Sequence, residues 1–319
     1  MPHDPSSEQS PAQAAAWPPL SQLEWRDTYA TLHLFTQVVG KVRLVQTPWI
    51  NHSWSVSLAV SPRGLTTGWV PHGDEALEIE FDFLSHTLEV STSRGGRRSF
   101  GLEGISVAGF YRELMEGLDE MGVPVDIVET PNEMEEITPF PEDEEHATYD
   151  PDAAHRFWRI LLATQRVFTR FRSRFLGKVS PVHFFWGAFD LAVSRFSGET
   201  APEHPGGLPH FPDPVAREAY SHEVSSAGFW PGNAGGPVEE ASYYSYIYPA
   251  PEGYGEADVS PDAAYWTDEL GEWVLPYEAV RTAEDPEATL MEFLQSTYEA
   301  AADLAGWDRA ALEREEGRP

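Results

Sequence analysis

The sequence contains no cysteine among its 319 residues. This absence excludes disulfides, thiolate nucleophiles, iron–sulfur clusters and cysteine-ligated zinc. Any metal ion would have to be held by histidine, aspartate or glutamate side chains. The residue spacings of a phosphate-binding loop and of a nucleophile elbow are also missing, so the sequence does not support nucleotide binding or serine-hydrolase chemistry.

Basic residues and long apolar runs are scarce as well. Lys and Arg total 21 against 52 Asp and Glu, which gives a formal net charge of −31. Such a chain repels phosphate backbones and anionic lipid headgroups, so we expect neither nucleic acid nor a membrane as a partner. The sequence begins without a basic stretch or an apolar block, and no window approaches the roughly 18 apolar residues of a transmembrane helix. A cytoplasmic location is expected.

Apolar and aromatic residues are plentiful. Hydrophobic residues make up 41% of the chain, with 11 Trp, 12 Tyr and 17 Phe. This content is enough to bury a core without disulfides or metals. The length suits two compact units, because domains cluster at roughly 100–200 residues.

Hydrophobic periodicity predicts an α+β protein with two similar halves. We expect a disordered arm over 1–23, a first half over 24–128, an acidic linker over 129–150 and a second half over 151–312. Each half is predicted to contain a helix, an antiparallel sheet and a second helix. Predicted helices cover 25–39, 107–121, 151–175 and 286–305, and the main predicted strands cover 53–60, 77–84, 182–196, 222–230 and 242–248.

Short repeated segments favour an internal duplication. Gly-Lys-Val occurs at 40–42 and 177–179, and Leu-Ala-Val-Ser occurs at 58–61 and 191–194. The chain has only two lysines, and both lie in the repeated tripeptide. We therefore expect Lys41 and Lys178 to occupy equivalent positions just after the first helix of each half.

Histidines, lysines and one glutamate are the candidates for chemistry. Strand alternation places His183 on an apolar face, while His222 and Glu223 are neighbours on another strand, where adjacent residues face opposite ways. Two histidines and a carboxylate suit a divalent metal, Fe or Zn, so His183, His222 and Glu223 are the candidate metal ligands. The candidate catalytic residues are these three with Lys178 and Lys41, and the candidate ligand-binding residues are His52, Trp54, Trp186, Arg195, Tyr220 and Trp230.

Each candidate also has a purely structural interpretation. A lysine just past a helix end complements the helix dipole, and a core histidine is commonly satisfied by a backbone carbonyl. Two hypotheses therefore stand. One is a small-molecule enzyme with a His-lined, metal-dependent site in a cleft between the halves. The other is a non-catalytic small-ligand-binding or assembly protein that uses an aromatic-lined pocket.

Four segments resemble an uncharacterised bacterial family, domain of unknown function 5996. They are TPWINHSW (47–54), SPVHFFWGAFDLAVSRFSG (180–198), YSHEVSSAGFWPG (220–232) and FLQSTYEAAADLAGWDRAAL (293–312). The resemblance extends over about 25–312. It implies no activity, so the function has to be argued from the residues.

Overall fold

Eight helices and twelve strands form the described part of the chain in this computed structural model, which covers residues 11–134, 137–208, 210–233 and 236–314. The helices are α1 (Pro11–Ala16), α2 (Gln22–Gln46), α3 (Val107–Glu120), α4 (Pro151–Ser173), α5 (Asp213–Ala219), α6 (Tyr277–Arg281), α7 (Pro286–Ala305) and α8 (Arg309–Leu312). None of the described helices is long and apolar enough to cross a membrane.

The strands form two antiparallel sheets, which confirms the α+β class. The first sheet contains β1 (Ala59–Val60), β2 (Gly64–Thr66), β3 (Val70–His72), β4 (Glu75–Asp82), β5 (Thr87–Thr92) and β6 (Arg97–Gly101), in the order β1-β2-β4-β5-β6 with β3 also paired to β4. The second sheet contains β7 (His183–Phe185), β8 (Asp190–Thr200), β9 (His222–Trp230), β10 (Ser242–Tyr248), β11 (Tyr265–Thr267) and β12 (Glu272–Pro276), in the order β11-β12-β10-β9-β8-β7.

The two sheets meet at a backbone bridge between Leu58 and Phe184. The N–H of each residue donates to the carbonyl of the other, both at 2.8 Å. One continuous cluster of buried apolar side chains runs through both halves of the chain. The sheets therefore share a core.

Helix α2 is enclosed by this core, and residues 31–42 are all buried. The helix continues to Gln46 and ends where Thr47 turns to extended backbone before Pro48. The predicted end at Gly40 is wrong, because Gly40 is a close-approach position inside the helix. A side chain there would overlap the indole of Trp186.

The two lysines lie in different structural environments. Lys41 is inside α2 and 3% exposed, whereas Lys178 follows the end of α4 in a segment without helical structure. Their predicted equivalence is wrong, since the two Gly-Lys-Val segments have different backbone settings. The duplication itself stays a prediction, based only on the order of helix, sheet and helix in each half.

Two predicted strands contain turns. In 53–60, the Ser57 hydroxyl donates to the Trp54 carbonyl at 3.3 Å and His52 has a φ of 58°, so only Ala59–Val60 is a strand. The Ser55 hydroxyl likewise accepts from the Ile50 N–H at 3.1 Å, so both serines satisfy turn backbone. In 182–196, a turn at 186–189 divides β7 from β8, with Phe189 at a φ of 58°.

The expected arm and linker are more ordered than the sequence indicates. The prediction of disorder is wrong for 11–23, because 11–16 is helical and Trp17 and Leu20 are buried. Residues 1–10 lie outside the described part. In the acidic segment 129–150, Phe140 is fully buried and begins a short 3-10 turn, so this segment is anchored to the core.

We predict that Gly40→Ala destabilises the protein by about 1–3 kcal/mol, the usual cost of overpacking a rigid core. This loss of stability is expected even though the intrinsic helix propensity of alanine exceeds that of glycine by about 1 kcal/mol. Gly117→Ala in α3 is the control, because its added methyl group meets the flexible, partly exposed side chain of Arg98. Urea unfolding measures both variants. Equal free energies of unfolding for the Gly40→Ala and Gly117→Ala variants would contradict the importance of the Gly40–Trp186 contact.

Candidate functional site

A cavity of about 490 Å³ lies on one face of the second sheet. Strands β8 and β9 line it with alternate residues, Asp190, Ala192 and Ser194 on the first and Val224 and Ser226 on the second. This is the period of two that places successive side chains on opposite faces of a sheet. The aromatic side chains that line the cavity include Trp54, Trp186, Trp230, Tyr220, Tyr244 and Tyr246.

The turn between β7 and β8 puts His183 on the same face as Asp190. His183 pairs with Ala192 and Phe185 pairs with Asp190. Residues 183 and 190 would face opposite ways if 182–196 were one continuous strand, as the sequence predicts. The hairpin reverses the chain, so both side chains line the cavity.

Gly228 allows a tyrosine to reach across strand β9. It lies between Ala192 on β8 and Tyr244 on β10. A side chain at Gly228 would overlap the ring of Tyr244. Because that space is free, the Tyr244 hydroxyl donates a hydrogen bond to Asp190 Oδ2.

Helix α2 holds the two loops that complete the cavity. His33 Nε2 lies 2.8 Å from the Gly187 carbonyl, in the turn between β7 and β8. Gln37 makes two bonds to the backbone of Asn132, donating to its carbonyl at 2.8 Å and accepting from its N–H at 2.7 Å. The second loop carries Glu133 into the cavity wall, next to Gly187.

Three carboxylates of the cavity have raised pKa values. Burial raises the pKa of Asp190 to about 6, although the hydrogen bond from Tyr244 acts in the opposite direction. Burial, reinforced by the charge of Asp190, raises the pKa of Glu133 to about 7 and that of Glu272 to about 7. Sites that desolvate several titratable groups in one concave pocket are candidates for function.

His183 is the most deeply buried imidazole of the cavity. It is 2% exposed, and burial lowers its pKa to about 3, so the ring is neutral. Nδ1 lies 3.4 Å from the Ser57 hydroxyl, while Nε2 has no hydrogen-bond partner among the described residues. Buried polar atoms are almost always paired. This nitrogen is an exception, a buried polar atom without a protein partner among the described residues.

A second cluster lies at the rim of the cavity and contains both other candidate histidines. Lys178 Nζ lies 2.6 Å from His52 Nε2 and 4.7 Å from the centre of the Phe196 ring. His52 Nδ1 lies 3.1 Å from the Ala219 carbonyl, so it carries the proton and Nε2 accepts from the ammonium group. The His222 ring lies 6.0 Å from the His52 ring.

The expected meeting of His183 and His222 is not found. Ala192, the partner of His183, pairs with Gly228 on β9, which is six positions and on the order of 20 Å from His222 along that strand. Glu223 does not line the cavity. A search of the described residues finds no group of three or more His, Asp and Glu side chains arranged to hold a metal ion.

Two other candidates lie outside the cavity. Arg195 points to the opposite face of β8, where its guanidinium lies 3.4 Å from the centre of the Phe171 ring and donates to the Phe171 carbonyl. Lys41 donates to the side chain of Asn132 behind the cavity wall, and burial lowers its pKa to about 8. Arg195 is therefore a core residue, and Lys41 supports the loop that carries Glu133.

The sequence analysis missed the carboxylates of the cavity. Glu133 lies in the acidic segment expected to be a linker, and Glu272 begins a strand that was not predicted. Asp190 was not among the candidate site residues. The dense aromatic segments at 180–198 and 220–232 were the available signal, since both contribute cavity walls.

We predict that Glu272→Gln becomes more stable than the natural protein as the pH rises. The folded-state pKa of Glu272 is about 7 against an ordinary 4.5, so the folded state binds more protons between these values. Its contribution to stability is therefore present at low pH and lost as the pH rises through about 7. The gain should be on the order of 1–3 kcal/mol, at about 1.4 kcal/mol per pKa unit.

Unfolding at about pH 5 and about pH 8 measures this difference. Glu223→Gln is the control, because it removes the same charge from the same sheet outside the cavity. A pH-independent difference for Glu272→Gln would contradict the raised pKa.

The comparisons with known proteins identify a family and nothing more specific. No curated protein matches this chain, and no solved structure matches it. A family model described as a family of unknown function, DUF5996, matches residues 17–314. This match spans both sheets, the acidic segment and every residue of the cavity, and the chain belongs to that family.

Proposed function

We propose that this protein binds a small organic molecule in the cavity of the second sheet. The observation that carries the proposal is a cavity of about 490 Å³ with aromatic walls and a few convergent polar groups. Ligand pockets typically have volumes of about 300–1,000 Å³ and this kind of lining.

The walls are held in place by bonds that do not involve a ligand. The Trp186 indole N–H donates to the Val56 carbonyl at 2.8 Å, and the Ser194 and Ser226 hydroxyls lie 2.9 Å apart. Tyr244 and Tyr246 stack with ring centres 6.2 Å apart and an interplanar angle of 18°. A site fixed in this way loses little conformational entropy on binding, which favours affinity.

We predict that phenethyl alcohol, a neutral aromatic probe, shifts the indole N–H resonances of the four cavity tryptophans, Trp49, Trp54, Trp186 and Trp230. The chain has 11 tryptophans, so their indole signals can be assigned with single Trp→Phe variants. Binding at about millimolar concentration is sufficient for the measurement. The control is Trp69, which is 68% exposed and outside the cavity. Absence of shifts, or equal shifts for Trp69, would contradict the proposal.

An acid–base enzyme is the second candidate, favoured by the contact between Lys178 and His52 at the rim. A neutral imidazole in contact with an ammonium group can pass protons to and from a bound molecule. Burial lowers the pKa of Lys178, and burial together with the charge of Lys178 lowers the pKa of His52. The change for Lys178 moves its ammonium group toward proton exchange near neutral pH, and the change for His52 favours the neutral imidazole that accepts a proton.

We predict that acetic anhydride labels Lys178 at a lower pH in the folded protein than in urea. The amine reacts only when it is unprotonated, and burial lowers its pKa. Mass spectrometry of the peptide that contains Lys178, at a series of pH values, gives the half-labelling point. The same lysine in the unfolded chain is the matched control. An unchanged or higher half-labelling pH in the folded state would remove the support for this second candidate.

A further inference from the structure

The carboxylates of the cavity differ from a buried carboxylate elsewhere in the chain. Asp82, 3% exposed, pairs with Arg63 and accepts from the N–H of Leu84 at 2.9 Å. Burial favours a raised pKa for Asp82, but its hydrogen bonds to backbone N–H groups and to Arg63 lower it instead. The first sheet thus supplies its buried carboxylate with a cation.

No such cation reaches the cavity. Within the described ranges, Asp190, Glu133 and Glu272 form no ion pair, and the Tyr244 hydroxyl is the side-chain partner of Asp190. They come from three separate segments, the loop after α3, the start of β8 and the start of β12, yet each lines the same space. A buried carboxylate without a partner is costly, and a bound cation would offset that cost.

The basic side chains near the cavity are hydrogen-bonded to other residues or uncharged. Lys41 donates to Asn132, and Lys178 is held at the rim by His52. Burial keeps the pKa of His183 at about 3, so this ring carries no charge at neutral pH. None of these groups pairs with the three carboxylates, whose charges face the cavity and disfavour anionic ligands.

The walls suit an organic cation more than a bare ion. Tyr244 and Tyr246 line the cavity together with Asp190 and Glu272, and aromatic rings attract cations. The carboxylates of the described residues do not converge on one point as metal ligands do. This arrangement fits a cation of several atoms.

We infer that the cavity binds an organic cation, a protonated amine or guanidinium group carried on an apolar body, with the Asp190 carboxylate as its counter-ion. This inference rests on the proposed function and names the ligand class. The apolar body packs against the tryptophans, and the cationic group lies at the carboxylate end of the cavity.

Three probes of one shape test the inference: phenethylamine, phenethyl alcohol and phenylpropionate, which are cationic, neutral and anionic. The amine should bind on the order of ten-fold more tightly than the alcohol, and the acid should bind most weakly. Asp190→Asn should reduce the amine's affinity to about that of the alcohol and leave the affinity of the alcohol unchanged. Glu223→Gln is the control for the lost negative charge, and its effect should stay below about two-fold.

A pH series on the unaltered protein provides an independent measurement. Alkyl ammonium groups keep their proton below about pH 10, whereas the carboxylates of the cavity become protonated as the pH falls through about 6–7. The amine's affinity should fall between about pH 8 and about pH 5, while that of the alcohol should not. The titratable groups that face the Asp190 region are Glu133, Glu272, Tyr220, Tyr244, Tyr246 and His183.

The outcomes separate the two proposals. If the alcohol binds but the amine shows no preference, or loses no affinity in Asp190→Asn or at low pH, the ligand class is wrong and the proposed function stands. If none of the three probes binds, both are wrong. If Asp190→Asn and Glu223→Gln reduce the amine's affinity equally, the preference for the amine reflects the net charge of the protein, and the inference is overturned.

Discussion

Helix α2 passes through the centre of the core, and the cavity depends on what this helix contacts. Gly40 leaves room for the Trp186 indole, and His33 and Gln37 hold the backbones of Gly187 and Asn132. These polar groups are buried, so leaving one unpaired would cost about 1–3 kcal/mol. The helix therefore fixes two loops, distant in sequence, at one wall of the cavity. The site is a product of core packing and not of surface loops alone.

Regular elements with clear local signals could be predicted from the sequence. The structure has α7 at Pro286–Ala305 and strands β9 and β10 at His222–Trp230 and Ser242–Tyr248, as predicted. Helix α7 begins after Asp285, whose side chain accepts from a backbone N–H in the first turn, and ends at Gly306 in the left-handed conformation. Such caps are encoded by one or two residues. A local sequence pattern is sufficient to predict an element whose ends are determined by neighbouring residues.

Turns within apolar segments could not be predicted, because tertiary contacts decide them. The segment 182–196 has no proline and is mostly apolar, and Trp186, the first residue of its turn, packs against Gly40 of a helix more than 140 residues earlier. The same limit applied to the site. Several histidines and tryptophans were found by their residue type, whereas Glu133 and Glu272 resembled ordinary acidic surface residues. Their altered pKa values arise only from burial beside Asp190.

Alternation along β8 separates two roles within one strand. Asp190, Ala192 and Ser194 line the cavity, while Leu191 and Val193 between them are fully buried in the core. Substitutions on the first set can change the shape and charge of the cavity without removing core contacts. If the proposed function holds, the residues that set ligand preference and the residues that hold the sheet together are different members of one strand.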